Sequence, residues 1–167
     1  MKIKAKITSS DYIGLMFLLT YRKPAAIVIT TGGLVSVGFL VAWYLGKHTE
    51  GDKPQLFLIA FAVATLIVLP FFVYRMARKA YDASALLQET IEYEFSDKFV
   101  ALTGQSFAVE KDWEMLPKVE EIGKWFFIYE SDKMANLIPF KCMTDEELKQ
   151  LRAFFHSLQG VDVKGVK

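Results

Sequence analysis

Two long uncharged stretches stand out in the pattern of hydrophobic and polar positions along the chain. Residues 25–45 and 56–74 contain no charged side chain. Helices rising about 1.5 Å per residue would be roughly 31 and 28 Å long over these ranges, close to the ~30 Å hydrocarbon core of a bilayer. The pattern predicts two transmembrane helices. The alternative, two buried core helices of a soluble protein, is disfavoured because uninterrupted apolar runs in such helices are usually shorter.

The segment 46–55 between these spans contains Gly46, Gly51 and Pro54, and predicts the short loop of an antiparallel hairpin. Its four charges cancel, whereas basic residues flank the other ends of the spans: Arg22, Lys23, Arg75, Arg78 and Lys79. Because positive charge is retained on the cytoplasmic side, we expect both termini in the cytoplasm and the loop 46–55 outside.

Aromatic and basic residues at the ends of the spans predict membrane-interface anchors. Trp43 and Tyr44 end the first span, and Tyr74 and Arg75 end the second. Rings with one polar edge favour the headgroup region.

Small residues recur four positions apart within the spans, a spacing that allows close helix packing. These pairs are Gly32 with Ser36, Gly38 with Ala42, and Ala60 with Ala64. We interpret them as packing within the hairpin, with dimerisation as the alternative. Pro70 removes a backbone donor and predicts a kink near Leu66.

The flanking segments predict shorter elements. Lysines alternate with apolar residues over 2–7, which indicates a half-buried strand, and we expect residues 2–8 to join the acidic sheet of the C-terminal region. Asp11 is the expected cap of an apolar helix over 12–21, too short to span a bilayer and therefore interfacial. Residues 1–23 form this N-terminal part without a cleavage site, and residues 76–88 predict a connecting helix.

From Glu89 onward the hydrophobic period changes to two. Six short strands separated by turns are predicted at 90–95, 99–102, 107–113, 116–122, 124–130 and 135–141. Thr144 and Glu147 form a capping box for an amphipathic helix that Gly160 ends, and the tail 161–167 is expected to fray. The fold class is a membrane α-helical hairpin plus an α+β domain over 89–160. The domain has the outline of an antiparallel pleckstrin-homology-like small barrel or sheet with a C-terminal helix.

Charge is distributed unevenly although the chain is nearly neutral. It carries 20 Lys and Arg against 19 Asp and Glu, and only four of these 39 lie within residues 24–74. Residues 82–167 hold 10 basic and 16 acidic residues, a formal charge of −6. This balance disfavours a nucleic-acid partner. The single cysteine excludes an intramolecular disulfide.

Candidate catalytic chemistry is sparse. His48 and His156 are expected on opposite sides of the membrane, and Cys142 has no histidine or second cysteine near it in sequence. Cys142 is either a nucleophile or, as the simpler interpretation, a buried or half-buried residue without a chemical role. We expect no catalytic, cofactor or metal site. Trp113 and Trp125 lie on predicted strands and are either core side chains or part of a partner surface.

In this order and spacing the elements resemble the bacterial YcxB-like family over nearly the whole chain. The resemblance is carried by the membrane hairpin and by short motifs: Ser10-Asp11-Tyr12, Tyr93-Glu94-Phe95, Trp113 with Val119 and Glu120, residues 125–129, and residues 135–139. Phe140 departs from it, since a basic residue is expected there. The resemblance implies a bacterial plasma-membrane protein with a pleckstrin-homology-type domain and no catalytic residues.

Three function hypotheses follow. The first is a non-enzymatic interaction or scaffold protein, anchored in the bilayer, with an unknown protein partner and a possible homo-oligomeric state. The second is an immunity or envelope-tolerance protein that neutralises a membrane-active toxin or bacteriocin. The third is a hydrolase that uses Cys142.

Overall fold

A computed structural model describes residues 1–46, 56–132 and 134–167. Apart from Gly46, the predicted outer loop 46–55 lies outside the described residues. The chain divides into two compact units. We call residues 9–83 the helical unit, and residues 1–8 with 84–167 the sheet unit.

The helical unit contains both candidate membrane spans. Its elements are α1 (Ser9–Tyr21), α2 (Pro24–Leu45), α3 (Leu56–Val63), a π-helical turn (Ala64–Val68) and α4 (Leu69–Ala83). Two helices are long and apolar enough to cross a membrane: Pro24–Leu45 and Leu56–Ala83. The second continues beyond the predicted residue 74, so most of the expected connecting helix is an extension of this span.

Close packing in the hairpin involves the first small-residue pair. A Cβ atom on Gly32 would lie 3.2 Å from the Phe61 ring of the other span, and Ser36 is buried with its hydroxyl donating to the Gly32 carbonyl of its own helix at 2.9 Å. A Cβ atom on Gly33 would lie only 2.1 Å from Thr65 Oγ1, so the two spans approach each other where only glycine fits. Gly38 differs, because a Cβ atom there would meet nothing within 4 Å.

Two local predictions in the helical unit take a different form in the structure. The perturbation expected before Pro70 is a π-helical turn, in which the Leu69 N–H donates to the Ala64 carbonyl five residues earlier. Helix α1 begins at Ser9, so Asp11 lies in its first turn and is not the cap.

The sheet unit holds two four-stranded sheets and a C-terminal helix. Its elements are β1 (Lys2–Lys6), α5 (Ala85–Gln88), β2 (Thr90–Phe95), β3 (Phe99–Thr103), β4 (Ala108–Asp112), β5 (Lys118–Ile122), β6 (Trp125–Ser131), β7 (Met134–Pro139), α6 (Asp145–Ser157) and β8 (Asp162–Lys164). The strand orders are β1-β2-β3-β4 and β7-β6-β5-β8. Short 3-10 turns end the predicted third and sixth strands early, at Trp113–Met115 and Phe140–Cys142.

The N-terminal strand pairs with β2 in antiparallel register, with Ile3 opposite Tyr93. Ile3 and Ala5 are buried, while the alternating Lys2 and Lys4 are exposed beside the glutamates of β2. Lys2 Nζ lies 3.0 Å from Glu94, and Lys4 Nζ lies 3.2 Å from Glu92. The expected joining of this strand to the acidic sheet is confirmed.

The core of the sheet unit is closed by α6. Leu151 and Phe155 are fully buried, and the Phe155 ring meets Phe126 edge-on with centroids 5.1 Å apart. The helix starts with the predicted capping box, since Thr144 Oγ1 accepts from the Glu147 N–H and Glu147 accepts from the Thr144 N–H. The fold is α+β as expected. Within the described residues no ladder joins β1 to β7, so the sheets do not form a closed barrel.

The C-terminal tail corrects one expectation. The sequence predicts that residues 161–167 fray, but β8 pairs in parallel with β5, with Val119 beside Val163. Val161, Val163 and Val166 pack partly buried against the core. The alternation of valines with polar residues is a strand pattern too short to identify alone, and its partner strand is distant in sequence.

Candidate functional site

One pair of the predicted interface anchors lies at a helix end, and the other pair lies within α4. Trp43 and Tyr44 are in the last turn of α2, and Tyr44 is exposed. Tyr74 and Arg75 lie in α4, and the Arg75 guanidinium is 5.8 Å from the centre of the Phe71 ring. An exposed ring beside a guanidinium can contact acyl chains and headgroups together.

Helix α4 becomes basic beyond these anchors. An open cavity of about 780 Å³ along this helix is lined by Arg75, Arg78 and Lys79 among apolar side chains. Arg78 donates to Asp82 at 2.9 Å and to the Ser9 hydroxyl at 3.1 Å, which ties α4 to the start of α1. Such a face can attract anionic headgroups.

Trp113 and Trp125 are core side chains. They are 3% and 8% exposed, and the Trp113 indole N–H donates to the Ser96 carbonyl at 2.8 Å. Trp113 also borders an open cavity of about 620 Å³ beside the end of α6. Of the two interpretations of these residues, their burial favours the core, since little of either ring is left exposed for a partner. The partner-surface interpretation stays a prediction.

A buried ion pair joins β5 to α6. Arg152 donates through Nε and Nη2 to the two carboxylate oxygens of Glu121, at 2.9 and 2.6 Å. The Glu121 side chain is 4% exposed. The Arg152 guanidinium also lies 5.4 Å from the centre of the Phe140 ring, and its pKa is raised, chiefly by the hydrogen bond to Glu121. The pair fixes the helix against β5, which lies between β6 and β8 in the second sheet.

The tail completes this region of the sheet unit. We call Lys118–Glu121 of β5, the segment beside which the tail lies, the β5 edge. The Asp162 N–H donates to the Pro117 carbonyl at 3.4 Å, and the Lys167 N–H donates to Glu121 Oε2 at 3.4 Å. Lys118 Nζ lies 2.6 Å from Glu120, and this hydrogen bond raises the pKa of the lysine, with a smaller contribution from Asp162.

Two further carboxylates organise turns and sheets. Glu89 accepts from the N–H groups of Gln105 and Ser106 and from the Ser106 hydroxyl, and these bonds, the hydroxyl foremost, lower its pKa. Burial works to raise the pKa of Glu130, but bonds from Lys111 and Asn136 outweigh it and leave the pKa lowered. Both carboxylates therefore have a structural role, because each already accepts hydrogen bonds from several donors.

The side chains considered for catalysis are dispersed. Cys142 is half-buried, with its thiol 3.7 Å from the Lys6 carbonyl, and His156 lies in the last turn of α6. Within the residues the structure describes, no three His, Cys, Asp or Glu side chains are grouped to hold a metal ion. His48 lies outside those residues.

The comparison with protein families supports the expected resemblance. The model of the YcxB-like protein family matches residues 103–155, which reach from the end of β3 into α6. The resemblance is therefore confirmed for this part of the chain, which holds the buried ion pair and both core tryptophans. No curated protein and no solved structure matches the chain.

Sequence reasoning missed the Glu121–Arg152 pair and the β5 edge. The two charges are 31 residues apart, and nothing local indicates their contact. The tail carried a signal, since Val161, Val163 and Val166 alternate with polar residues around Gly165. That pattern becomes informative only once β6 is known to pair with one side of β5, which leaves the other side for the tail.

Proposed function

We propose that this protein is a membrane-anchored, non-enzymatic interaction protein that presents a pleckstrin-homology-like domain to the cytoplasm. The observation that carries the anchoring is the exposed apolar surface of the helical unit. Val28, Phe39 and Ile67 are 69%, 63% and 63% exposed on helices of membrane-spanning length. Leaving such side chains in water costs about 25 cal/mol per Å² of apolar surface, so a hydrocarbon solvent is the favourable surrounding.

Two features support the pleckstrin-homology-like assignment of the sheet unit. The strands form two consecutive antiparallel groups, β1 to β4 and β5 to β7, followed by α6. Leu151 and Phe155 of that helix are buried in the core that both sheets line. Folds of this outline serve many purposes, so the function rests on the surfaces of the domain and not on the fold alone.

The basic inner flank supports the orientation. Arg75, Arg78 and Lys79 follow the second span, and Arg22 and Lys23 precede the first. Their placement favours a cytoplasmic sheet unit. The acidic charge of residues 82–167 favours a protein partner over an anionic lipid or nucleic acid as the ligand of this unit.

Membrane extraction combined with site-specific crosslinking tests this proposal. The chain should stay in the membrane fraction after an alkaline carbonate wash and leave it only with detergent. A photo-crosslinking residue at the exposed Met115 or Met134 should give discrete adducts in living cells. Release by carbonate would contradict the anchoring, and the absence of adducts from every exposed position would contradict the interaction role.

A further inference from the structure

The tail fits the β5 edge through matched charges. In the parallel register Lys118 lies beside Asp162, and Glu120 lies beside Lys164. Paired residues of neighbouring strands project from the same face, so each cation stands next to an anion. Asp162 and Lys164 are themselves 2.9 Å apart. Reversing the two tail charges would place like charges together at both positions, which is unfavourable.

The tail also fits through its shape. Val163 packs beside Val119, which is fully buried. Gly165 has a φ of +66°, and a Cβ atom there would lie 2.9 Å from the Glu121 carbonyl oxygen. Glycine is required at this point because a side chain is strained by the backbone angle and blocked by the carbonyl. The site therefore accepts an acidic, a β-branched, a basic and a glycine residue in that order.

The ladder that holds the tail is short. Strand β8 has three residues, and four residues separate it from the end of α6 at Ser157. Besides its partly buried valines, this short strand is stabilised by its tether, which supplies an effective concentration of the order of millimolar. An untethered segment of the same chemistry can replace it by strand addition, in which main-chain bonds give affinity and alternate side chains give specificity.

We propose that the β5 edge is a binding site for an extended segment of another protein with the sequence chemistry acidic, β-branched, basic, glycine, and that residues 161–167 cover this site as an internal competitor. The proposal rests on the interaction role given above and names the partner chemistry and the regulation of that role. The partner binds when the tail is released.

Peptide binding to a tail-released full-length chain is the direct test. Gly165→Val should displace the tail without shortening the chain, and Lys164→Arg is the matched control that retains the charge. The probe is a fluorescent, acetylated peptide, Val-Asp-Val-Lys-Gly-Val-Lys, titrated by anisotropy into each purified protein in detergent. We expect binding to Gly165→Val at least about tenfold tighter than to the wild type or the control, since the tethered competitor is removed.

Charge exchange tests the register. A peptide with its acidic residue and first lysine exchanged should bind Gly165→Val at least about tenfold more weakly. Adding Lys118→Glu with Glu120→Lys to that chain should reverse the preference. Equal binding of both peptides, or no gain over the wild type in a folded Gly165→Val chain, would overturn the proposal. A chain ending at Gly160 repeats the titration if Gly165→Val does not fold.

The outcome is separable from that of the proposed function. A chain that stays in the membrane and gives crosslinks from Met115, yet binds no peptide, would overturn the β5 edge as the site and leave the interaction role standing. If the wild-type protein is a dimer that the peptide dissociates into monomers, the occupant of the site is the tail of a second copy. That result would overturn the proposal that the partner is a different protein.

Discussion

Replacing Arg152 by methionine should strongly destabilise the sheet unit. The substitution keeps an unbranched side chain but removes both donors at 2.9 and 2.6 Å from Glu121, whose side chain is 4% exposed. The remaining donor described near this carboxylate is the Lys167 N–H at 3.4 Å. Removing one partner of a buried pair costs about 3–5 kcal/mol, and partial exposure of Arg152 places the expected loss near 3 kcal/mol.

This loss converts to a measurable shift. The sheet unit comprises residues 1–8 and 84–167, and for a domain of this size each kcal/mol lowers the melting temperature by roughly 4–8 °C. The Arg152→Met chain should therefore melt about 12–24 °C below the wild type. Near-ultraviolet circular dichroism in detergent follows the unit through Trp113 and Trp125, with Trp43 replaced by phenylalanine in all chains.

The double variant Glu121→Leu with Arg152→Met distinguishes an unpaired charge from lost packing. With the carboxylate gone, no buried charge is left uncompensated, so most of the stability should return. If the double variant melts as low as the single one, the loss comes from packing and the reasoning is wrong. A shift below about 4 °C for Arg152→Met would refute it equally.

Three other perturbations test other parts of the account. Gly33→Ala should weaken the hairpin, because its Cβ would lie 2.1 Å from Thr65 Oγ1, and adding Thr65→Ala should restore part of the loss in a detergent-unfolding titration. Deleting residues 1–8 should lower the melting temperature of the sheet unit, since β1 brings buried side chains to the core; an unchanged curve would contradict this. Because the pKa of Glu89 is lowered in the folded chain, this carboxylate stabilises the fold at pH values above its ordinary pKa of 4.5, and the stabilisation is lost as the pH falls through the folded pKa. Glu89→Gln should therefore flatten the acid side of a plot of urea midpoint against pH. A variant profile that runs parallel to that of the wild type would exclude this stabilising role of Glu89.

The sequence predicted best those elements that local chemistry determines. The spans follow from uninterrupted apolar runs, and α6 from a capping box that Thr144 and Glu147 form within four residues. Strand β2 spans the predicted residues because its alternation is strict and serine and aspartate follow it. The predicted third strand ended early at a 3-10 turn, since the Trp113 N–H donates to the Lys98 carbonyl and the next residues turn away.

Contacts between distant segments explain what the sequence left undecided. The burial of Trp113 depends on Phe154 and Phe155 of α6, whose rings lie 5.8 and 6.2 Å from it. The tail is ordered because it pairs with β5. The buried charge of Glu121 is balanced by Arg152 of α6, which lies 31 residues further along the chain. Pattern alone does not reach such pairings, because each segment is compatible with several partners until the sheets form.

Thiol accessibility in intact cells tests most directly whether the sheet unit is held at the cytoplasmic face of a membrane. Cys142 is replaced by serine, and single cysteines are placed at Glu50, between the spans, and at Gln150, which is exposed on α6. A membrane-impermeant maleimide should label position 50 in intact cells and position 150 only after permeabilisation. Labelling of position 150 but not position 50 in intact cells would place the sheet unit outside and contradict the account.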